Sequence, residues 1–246
     1  MERGDRPPVG TFYSRAPFTA GAVVRLSESA AHHARVKRLE PNDAVRLTNG
    51  AGALAVGTIA SLDRSAVDIR VDRVDAVAAP TPVHARVPIA DRDRMLWLAE
   101  KLTELGVATW QAVRFRRSAS VSSRGEGTVF TDKLRLRMIA ALEQSGGAWL
   151  PRILPDTVPD AIGVDAGGVP IVLAMDGAPI VRVLEARTRA EPVLLVGPEG
   201  GLEADERALL TSRGWTAARL APATLRFETA AIAAVAIARA HRLEAS

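Results

Sequence analysis

The chain has 246 residues, of which 48% are hydrophobic and 24% are charged, an ordinary composition for a globular protein. No apolar run reaches the roughly 18 residues that a membrane span needs, and the first residues lack the apolar segment of a secretory signal. Cysteine is absent, so disulfides, thiolate catalysis and cysteine-based zinc sites are excluded. These features predict a cytoplasmic protein with no membrane partner.

The basic side chains are almost all arginines. Lysine occurs only at Lys37, Lys101 and Lys133 among 32 basic residues, and the formal net charge is +4. Guanidinium groups suit phosphate contacts, although an arginine bias can equally be genomic. Because the net excess is small, the distribution of arginines along the chain matters more than their number.

Residues 1–75 are predicted to form a small β-rich, barrel-like domain. Residues 22–26 favour a strand, and Ser27 can cap a short helix that reaches Leu39. Asn49-Gly50 is typical of a hairpin turn between two alternating segments. Residues 67–72 alternate again between apolar and polar side chains, as a half-buried strand does.

Residues 76–82 have the composition of a linker, and beyond them strands alternate with helices. Residues 83–89 predict a strand, Asp91 or Asp93 the cap of a helix, and Thr131 the cap of a later helix. Such alternation predicts an α/β domain over 76–246, with its ligand site at the carboxyl ends of parallel strands.

One segment with chemical potential is Gly197-Pro198-Glu199-Gly200-Gly201-Leu202, which follows an apolar strand and opens an acidic helix. Its glycines permit close backbone approach to a ligand, although a tight strand-to-helix turn explains them equally well. The lysine of a phosphate-binding P-loop is missing, and Glu199 would repel phosphate.

A second segment, Leu225-Arg226-Phe227-Glu228-Thr229-Ala230, also joins a strand end to a helix start. Glu228 and Thr229 are explained by helix capping and by the helix dipole. Arg226 is not, because a cation is unfavourable at the amino end of a helix unless an anion offsets it.

These two segments, GPEGGL and LRFETA, carry a resemblance to a known family. Further matching motifs occur in the same order at residues 33–39, 100–107, 117–118 (Arg-Ser) and 143–145 (Glu-Gln-Ser). The chain resembles the bacterial 16S ribosomal RNA (uracil-N3)-methyltransferases, which belong to the SPOUT class of knotted methyltransferases.

The resemblance implies a PUA-like β-barrel that binds RNA, followed by a parallel-sheet α/β domain with a trefoil knot. It also implies S-adenosyl-L-methionine as cofactor, 16S ribosomal RNA or the small ribosomal subunit as partner, and a homodimer. Carried over by motif, the cofactor-binding residues are Leu173, Ala174, Gly197, Glu199, Gly200, Gly201, Leu220, Pro222, Leu225 and Thr229.

The same resemblance makes Arg226 and Glu228 the catalytic candidates. Loss of the proton from uridine N3 places negative charge on the flanking carbonyl oxygens, which Arg226 can stabilise as a donor. Glu228 either accepts that proton or holds Arg226 in place.

The RNA-binding candidates form two groups and one single residue. Residues 112–124 contain several arginines and no acidic residue, a pattern that can follow a phosphate backbone but also fits a solvated loop. The candidates are Arg35, Lys37 and Arg38, then Arg114, Arg116, Arg117 and Arg124, and finally Arg152.

One departure from the family pattern favours an alternative. Gly146-Gly147 stands where the family commonly carries arginine, so that Arg152 is the first basic residue after Gln144. The alternatives are a non-catalytic RNA-binding or ribosome-assembly factor on the same fold, or a SPOUT enzyme with another RNA target. No metal site is expected, because the few histidines are either adjacent on one helix or far apart.

Overall fold

The computed structural model describes residues 7–118, 125–164, 167–187 and 190–243. Their contacts divide the chain into two compact units. The first contains the described residues up to Ala79 together with Ile139–Leu150, and the second contains Pro80–Met138 and the described residues from Pro151 onward.

The first unit is built on a five-stranded, mixed sheet with the order β1-β3-β4-β5-β2. Strand β1 pairs parallel to β3, and the remaining pairs are antiparallel. Its core is made by inward-facing side chains such as Phe12, Leu47, Ile59 and Ile69. The elements are β1 (Thr11–Tyr13), β2 (Val23–Leu26), α1 (Glu28–Val36), β3 (Ala44–Thr48), β4 (Ala53–Leu62) and β5 (Val67–Ala76).

The hairpin predicted at Asn49-Gly50 is confirmed between β3 and β4. Gly50 has φ +67°, a left-handed conformation that glycine adopts without the penalty of a side chain. A Cβ atom on Gly50 would also lie 2.9 Å from Cβ of Leu150. Both conformation and space therefore require glycine at this turn.

The second unit is a six-stranded sheet with the order β11-β9-β10-β6-β7-β8, and every strand pair in it is parallel. Its strands are β6 (His84–Pro88), β7 (Thr109–Val113), β8 (Arg152–Ile153), β9 (Gly168–Pro179), β10 (Glu191–Leu195) and β11 (Thr216–Arg219). Its helices are α2 (Arg92–Glu104), α3 (Thr128–Ser145, which continues into the first unit), α4 (Ile180–Glu185), α5 (Ala204–Ser212) and α6 (Phe227–Leu243).

The predicted helix after β6 is confirmed, and Asp91 is its cap. The Asp91 carboxylate accepts hydrogen bonds from the backbone N–H of Asp93 and of Arg94, at 3.0 and 3.1 Å. The apolar side chains of Met95, Leu98, Ala99 and Leu102 lie at helical spacing and are buried. This burial fixes α2 against the sheet.

The cap predicted at Thr131 is wrong, because α3 begins three residues earlier, at Thr128. The hydroxyl of Thr131 donates to the backbone oxygen of Gly127 at 3.1 Å, a back-bond from within the first turn. The sequence predicts a helix start at Thr131 only because apolar residues follow it at helical spacing.

Strand β9 carries an arch where its sequence faces β11. Val172 pairs with Ala217, but the next residue of β11, Ala218, pairs with Ala178. Residues 173–177 are therefore left out of the pairing with β11, and the pairing with β10 has already ended at Val172.

The predicted fold class, a small β domain followed in sequence by an α/β domain with a parallel sheet, is confirmed. The trefoil knot stays a prediction of the resemblance, because strand order and register do not describe how a chain threads through its own loops.

Gly177 closes the arch against β11, and we expect Gly177→Ala to destabilise the protein. The added Cβ would lie 2.5 Å from backbone atoms of Ala217 and Ala218, which cannot move without breaking the sheet. We expect a loss of about 1–3 kcal/mol in the free energy of unfolding, measured by urea denaturation. Gly163→Ala is the control, because nothing lies within 4 Å of its added Cβ. Equal stability of the two variants would contradict this account of the arch.

Candidate active site

A cleft of about 470 Å³ lies at the carboxyl ends of β9, β10 and β11. Its walls are the arch of β9, the loop that follows β10 and the segment that joins β11 to α6. This volume is within the usual range for a small-molecule site.

The loop after β10 is shaped by glycine. Gly201 has φ +73°, and its backbone N–H donates to the carbonyl of Pro198 at 2.8 Å, which closes a tight turn. Helix α5 then begins, and Glu206 accepts a hydrogen bond from the backbone N–H of Glu203 at 2.9 Å. The segment therefore forms a tight turn, and this does not prevent it from binding a ligand.

The structure brings most of the predicted cofactor-binding residues into one cleft. Pro222 lies in an adjoining hollow with Met175 and Pro179, and Thr229 is an exposed residue in the first turn of α6 that is not part of the lining. The predicted residues that line the cleft are Leu173, Ala174, Gly197, Glu199, Gly200, Gly201, Leu220 and Leu225.

Arg226 and Glu228 flank Phe227 at the start of α6. Phe227 lines the cleft and Glu228 is buried, whereas Arg226 is exposed. Within the described part of the chain, the Arg226 side chain has no hydrogen bond or ion pair of normal length with Glu228. Its charge instead acts on Glu199, where it contributes to a lowered pKa.

The partner of Glu228 is Arg94, a residue that sequence reasoning missed. Nε of Arg94 donates to Oε1 of Glu228, and Nη2 donates to Oε2 at 2.7 Å and to Oε1 of Glu199 at 2.6 Å. The hydrogen bonds to Glu228 and then to Glu199 raise the pKa of Arg94 above its ordinary value. The sequence did contain a signal for Arg94. Like Arg226, it is a cation near the amino end of a helix, where the helix dipole disfavours it.

The predicted arginine strip is paired with carboxylates. Arg114 pairs with Glu126, Arg116 with Asp205, and Arg117 with Glu203 at 2.7 Å. Arg117 also donates to the backbone oxygen of Gly200 at 3.1 Å. The strip itself contains no acidic residue, but Glu126 follows it closely in the sequence, and Glu203 and Asp205 come from the amino end of α5.

The other basic candidates are exposed. Arg35, Lys37 and Arg38 follow one another at the end of α1 in the first unit, and Arg152 is exposed in the second. Arg124 lies outside the described residues. Glu143, of the Glu-Gln-Ser motif, accepts a hydrogen bond from the backbone N–H of Tyr13 at 2.8 Å, and burial raises the pKa of its carboxyl.

No three histidine or acidic side chains within the described ranges are grouped where they could hold a metal ion. In the same ranges, no helix has both the length and the hydropathy to span a membrane.

Family models match both parts of the chain. An RNA methyltransferase PUA domain matches residues 26–72, and an RNA methyltransferase domain matches residues 77–239. The chain thus has a PUA-like domain followed in sequence by a parallel-sheet domain with a cleft at three strand ends. These features define its class as RNA methyltransferase.

Similar proteins narrow the class to one family. Ribosomal RNA small subunit methyltransferase E of Mycobacterium bovis is 30% identical over 235 residues, covering 89% of this chain and 86% of the relative. The protein of the same name from Aquifex aeolicus is 26% identical, with 92% and 97% covered. The chain belongs to the ribosomal RNA small subunit methyltransferase E family.

Solved structures share the fold over nearly the whole chain. A ribosomal RNA small subunit methyltransferase E from Neisseria gonorrhoeae, bound to S-adenosyl methionine, has a TM-score of 0.82 at 24% identity and covers 92% of this chain and 95% of its own. A predicted RNA methyltransferase from Thermotoga maritima has a TM-score of 0.71 at 28% identity, with 96% and 99% covered.

The contacts of Arg117 predict that it orders the glycine loop after β10. We expect Arg117→Ala to increase amide hydrogen exchange of residues 199–203 about tenfold, the effect of losing roughly 1.4 kcal/mol of local stability. Hydrogen exchange followed by mass spectrometry measures this directly. Arg114→Ala removes an equivalent ion pair to Glu126 outside the loop and is the control. The same exchange rate in both variants would show that Arg117 does not order the loop.

Proposed function

We propose that this protein transfers a methyl group from S-adenosyl-L-methionine to N3 of a uridine in 16S ribosomal RNA. The observation that carries the proposal is the convergence of three strand ends of an RNA methyltransferase domain on one cleft, with Arg226 at its edge. The cofactor supplies a methyl group that its sulfonium makes electrophilic. The protein therefore has to supply position and charge.

The residues present fit this cofactor. The cleft offers aliphatic side chains from Leu173, Leu220 and Leu225 and the backbone of the glycine loop, which suit an adenine ring that needs apolar walls and hydrogen bonds. Asp176 and Glu199 place carboxylates in the lining, each paired with an arginine, Asp176 with Arg207 and Glu199 with Arg94. In the proposed complex the cationic sulfonium and ammonium groups would compete with these arginines for the two carboxylates.

Arg226 would act on the RNA base. An exposed guanidinium beside the cleft can donate to a uracil carbonyl oxygen as negative charge develops on it. Glu228 was given two roles by the resemblance, acceptor of the N3 proton or support for Arg226. Its contacts with Arg94 indicate a third role, support for Arg94.

Mass spectrometry of nucleosides from 16S ribosomal RNA tests the activity. RNA or small subunits from a strain lacking the gene should gain N3-methyluridine when incubated with the protein and the cofactor. Arg226→Ala should lower kcat about a hundredfold or more while leaving the Kd of the cofactor nearly unchanged. RNA binding without any methylation would instead favour the non-catalytic assembly factor. Normal turnover of Arg226→Ala would exclude its role as donor.

RNA contacts are proposed mainly at the exposed basic residues of a first domain, residues 1–75, which would guide RNA to the catalytic domain, residues 76–246. Arg35, Lys37 and Arg38 form its candidate patch, and Arg152 belongs to the catalytic domain. Arg114, Arg116 and Arg117 are exposed as well, but each would have to exchange a carboxylate for a phosphate. Exposed ion pairs are weak enough to permit such an exchange.

We also propose a cytoplasmic homodimer that uses the outer face of α6. The partly exposed positions of this helix between Glu228 and Arg239 are apolar, including Ile232, Ala233, Ala236 and Ile237. A face without charge is unusual for a helix in contact with water and is typical of a subunit interface.

Ala236→Glu should weaken such a dimer, because a carboxylate would be buried in an apolar interface without a partner. We expect the dimer Kd to rise about a hundredfold, measured by sedimentation equilibrium, toward a monomer mass of 26.1 kDa. Ala208→Glu places the same charge on an exposed position of α5 and serves as the control. An unchanged mass in Ala236→Glu would exclude α6 as the interface.

A further inference from the structure

Arg94 connects two walls of the cleft. It lies in the first turn of α2, yet its guanidinium contacts the loop after β10 through Glu199 and the start of α6 through Glu228. Its Cζ atom lies 4.6 Å from the ring centroid of Phe227, which lines the cleft. The side chain is 31% exposed, so most of it is enclosed by these three partners.

The position of Arg94 is unfavourable without those partners. A cation in the first turn of a helix is repelled by the helix dipole, and the same is true of Arg226 before α6. Two carboxylates that converge on a single guanidinium offset this cost for Arg94. Their effect on the arginine is also visible in its raised pKa.

The geometry of the contact decides which arginine Glu228 serves. Both carboxylate oxygens of Glu228 accept hydrogen bonds from Arg94, and only 11% of the Glu228 side chain is exposed. A carboxylate whose two oxygens both accept hydrogen bonds from one guanidinium is a poor proton acceptor. It also has few positions left for hydrogen bonds from a second arginine.

We propose that Arg94 is a positioning residue of the active site, which occupies Glu228 and one oxygen of Glu199 and so keeps Arg226 available to the RNA base. This inference rests on the proposed function, because it assumes that Arg226 acts on uridine. Glu228 is then a support for Arg94 and takes no proton from N3.

Loss of Arg94 would leave two carboxylates beside one remaining cation. The charge of Arg226 already reaches Glu199, where it helps to lower the pKa of that carboxyl. Without Arg94, Arg226 would be drawn into an ion pair with the freed carboxylates and away from the cleft. Removing the carboxylates together with Arg94 would release it again.

The kinetic test follows from this competition. Arg94→Gln should lower kcat about a hundredfold, and the triple variant Arg94→Gln, Glu199→Gln, Glu228→Gln should regain at least tenfold. Arg92→Gln is the matched control, because Arg92 lies in the same turn and pairs only with exposed Asp93 within the described structure. Melting temperatures and the cofactor Kd, measured for every variant, separate a change in kcat from loss of folding or of cofactor binding.

A triple variant as slow as Arg94→Gln would overturn the proposal, since Arg94 would then act on the substrate directly. Wild-type kcat in Arg94→Gln would overturn it as well. If Arg94→Gln does not fold, Arg94→Lys, which keeps the charge and loses the fork, takes its place in the comparison.

Arginine side-chain NMR tests the same arrangement without any turnover. The Nε–H signal of Arg94 should be protected from exchange in the wild type and exposed in Glu228→Gln. The Nε–H signal of Arg226 should become protected in Arg94→Gln and lose protection in the triple variant. Failure of the wild type to methylate RNA would refute the proposed function alone, whereas signals that do not respond in this way would refute the positioning role.

Discussion

Parallel pairing of β9 with β10 on one side and β11 on the other places the ends of these three strands along one edge of the sheet. Each strand end is followed by a segment whose backbone is irregular, and irregular backbone needs partners for its N–H and C=O groups. A small molecule held among these segments satisfies many such groups at once. The cleft, its glycines and its aliphatic walls all follow from this alignment.

Charge around the cleft is arranged in pairs that join separate segments. Arg94 joins α2 to the loop after β10 and to α6, while Arg117 joins the segment after β7 to the same loop. Individually, such partly exposed pairs contribute little to stability. Together they fix the relative positions of segments that no regular hydrogen-bond ladder connects, and this is the property that a methyl transfer in line with a base requires.

The sequence predicted the elements whose signal is local. The hairpin at Asn49-Gly50, the cap at Asp91 and the alternation of strands and helices depend on neighbouring residues, and the structure confirms them. The residues of the glycine loop and of the segment before α6 marked both as candidate sites, but only the resemblance to a known family assigned them to a cofactor. Neither Arg94 nor the carboxylates of Glu203 and Asp205 opposite the arginine strip were predicted, because ion pairs between residues 86 or more positions apart leave no periodic pattern.

Strand β9 has two parts with different roles, one in the sheet and one in the wall of the cleft. Residues 168–172 pair with β10, and Ile171 and Val172 pair with β11 as well, whereas residues 173–176 line the cleft and pair with neither strand. Substitutions at those four positions can change the shape and polarity of the site while the scaffold stays intact. Gly177 must stay glycine, because the strand returns to β11 there and leaves no room for a side chain. Relatives that bind the same cofactor but differ in substrate are therefore expected to vary within the arch and to agree at its closing residue.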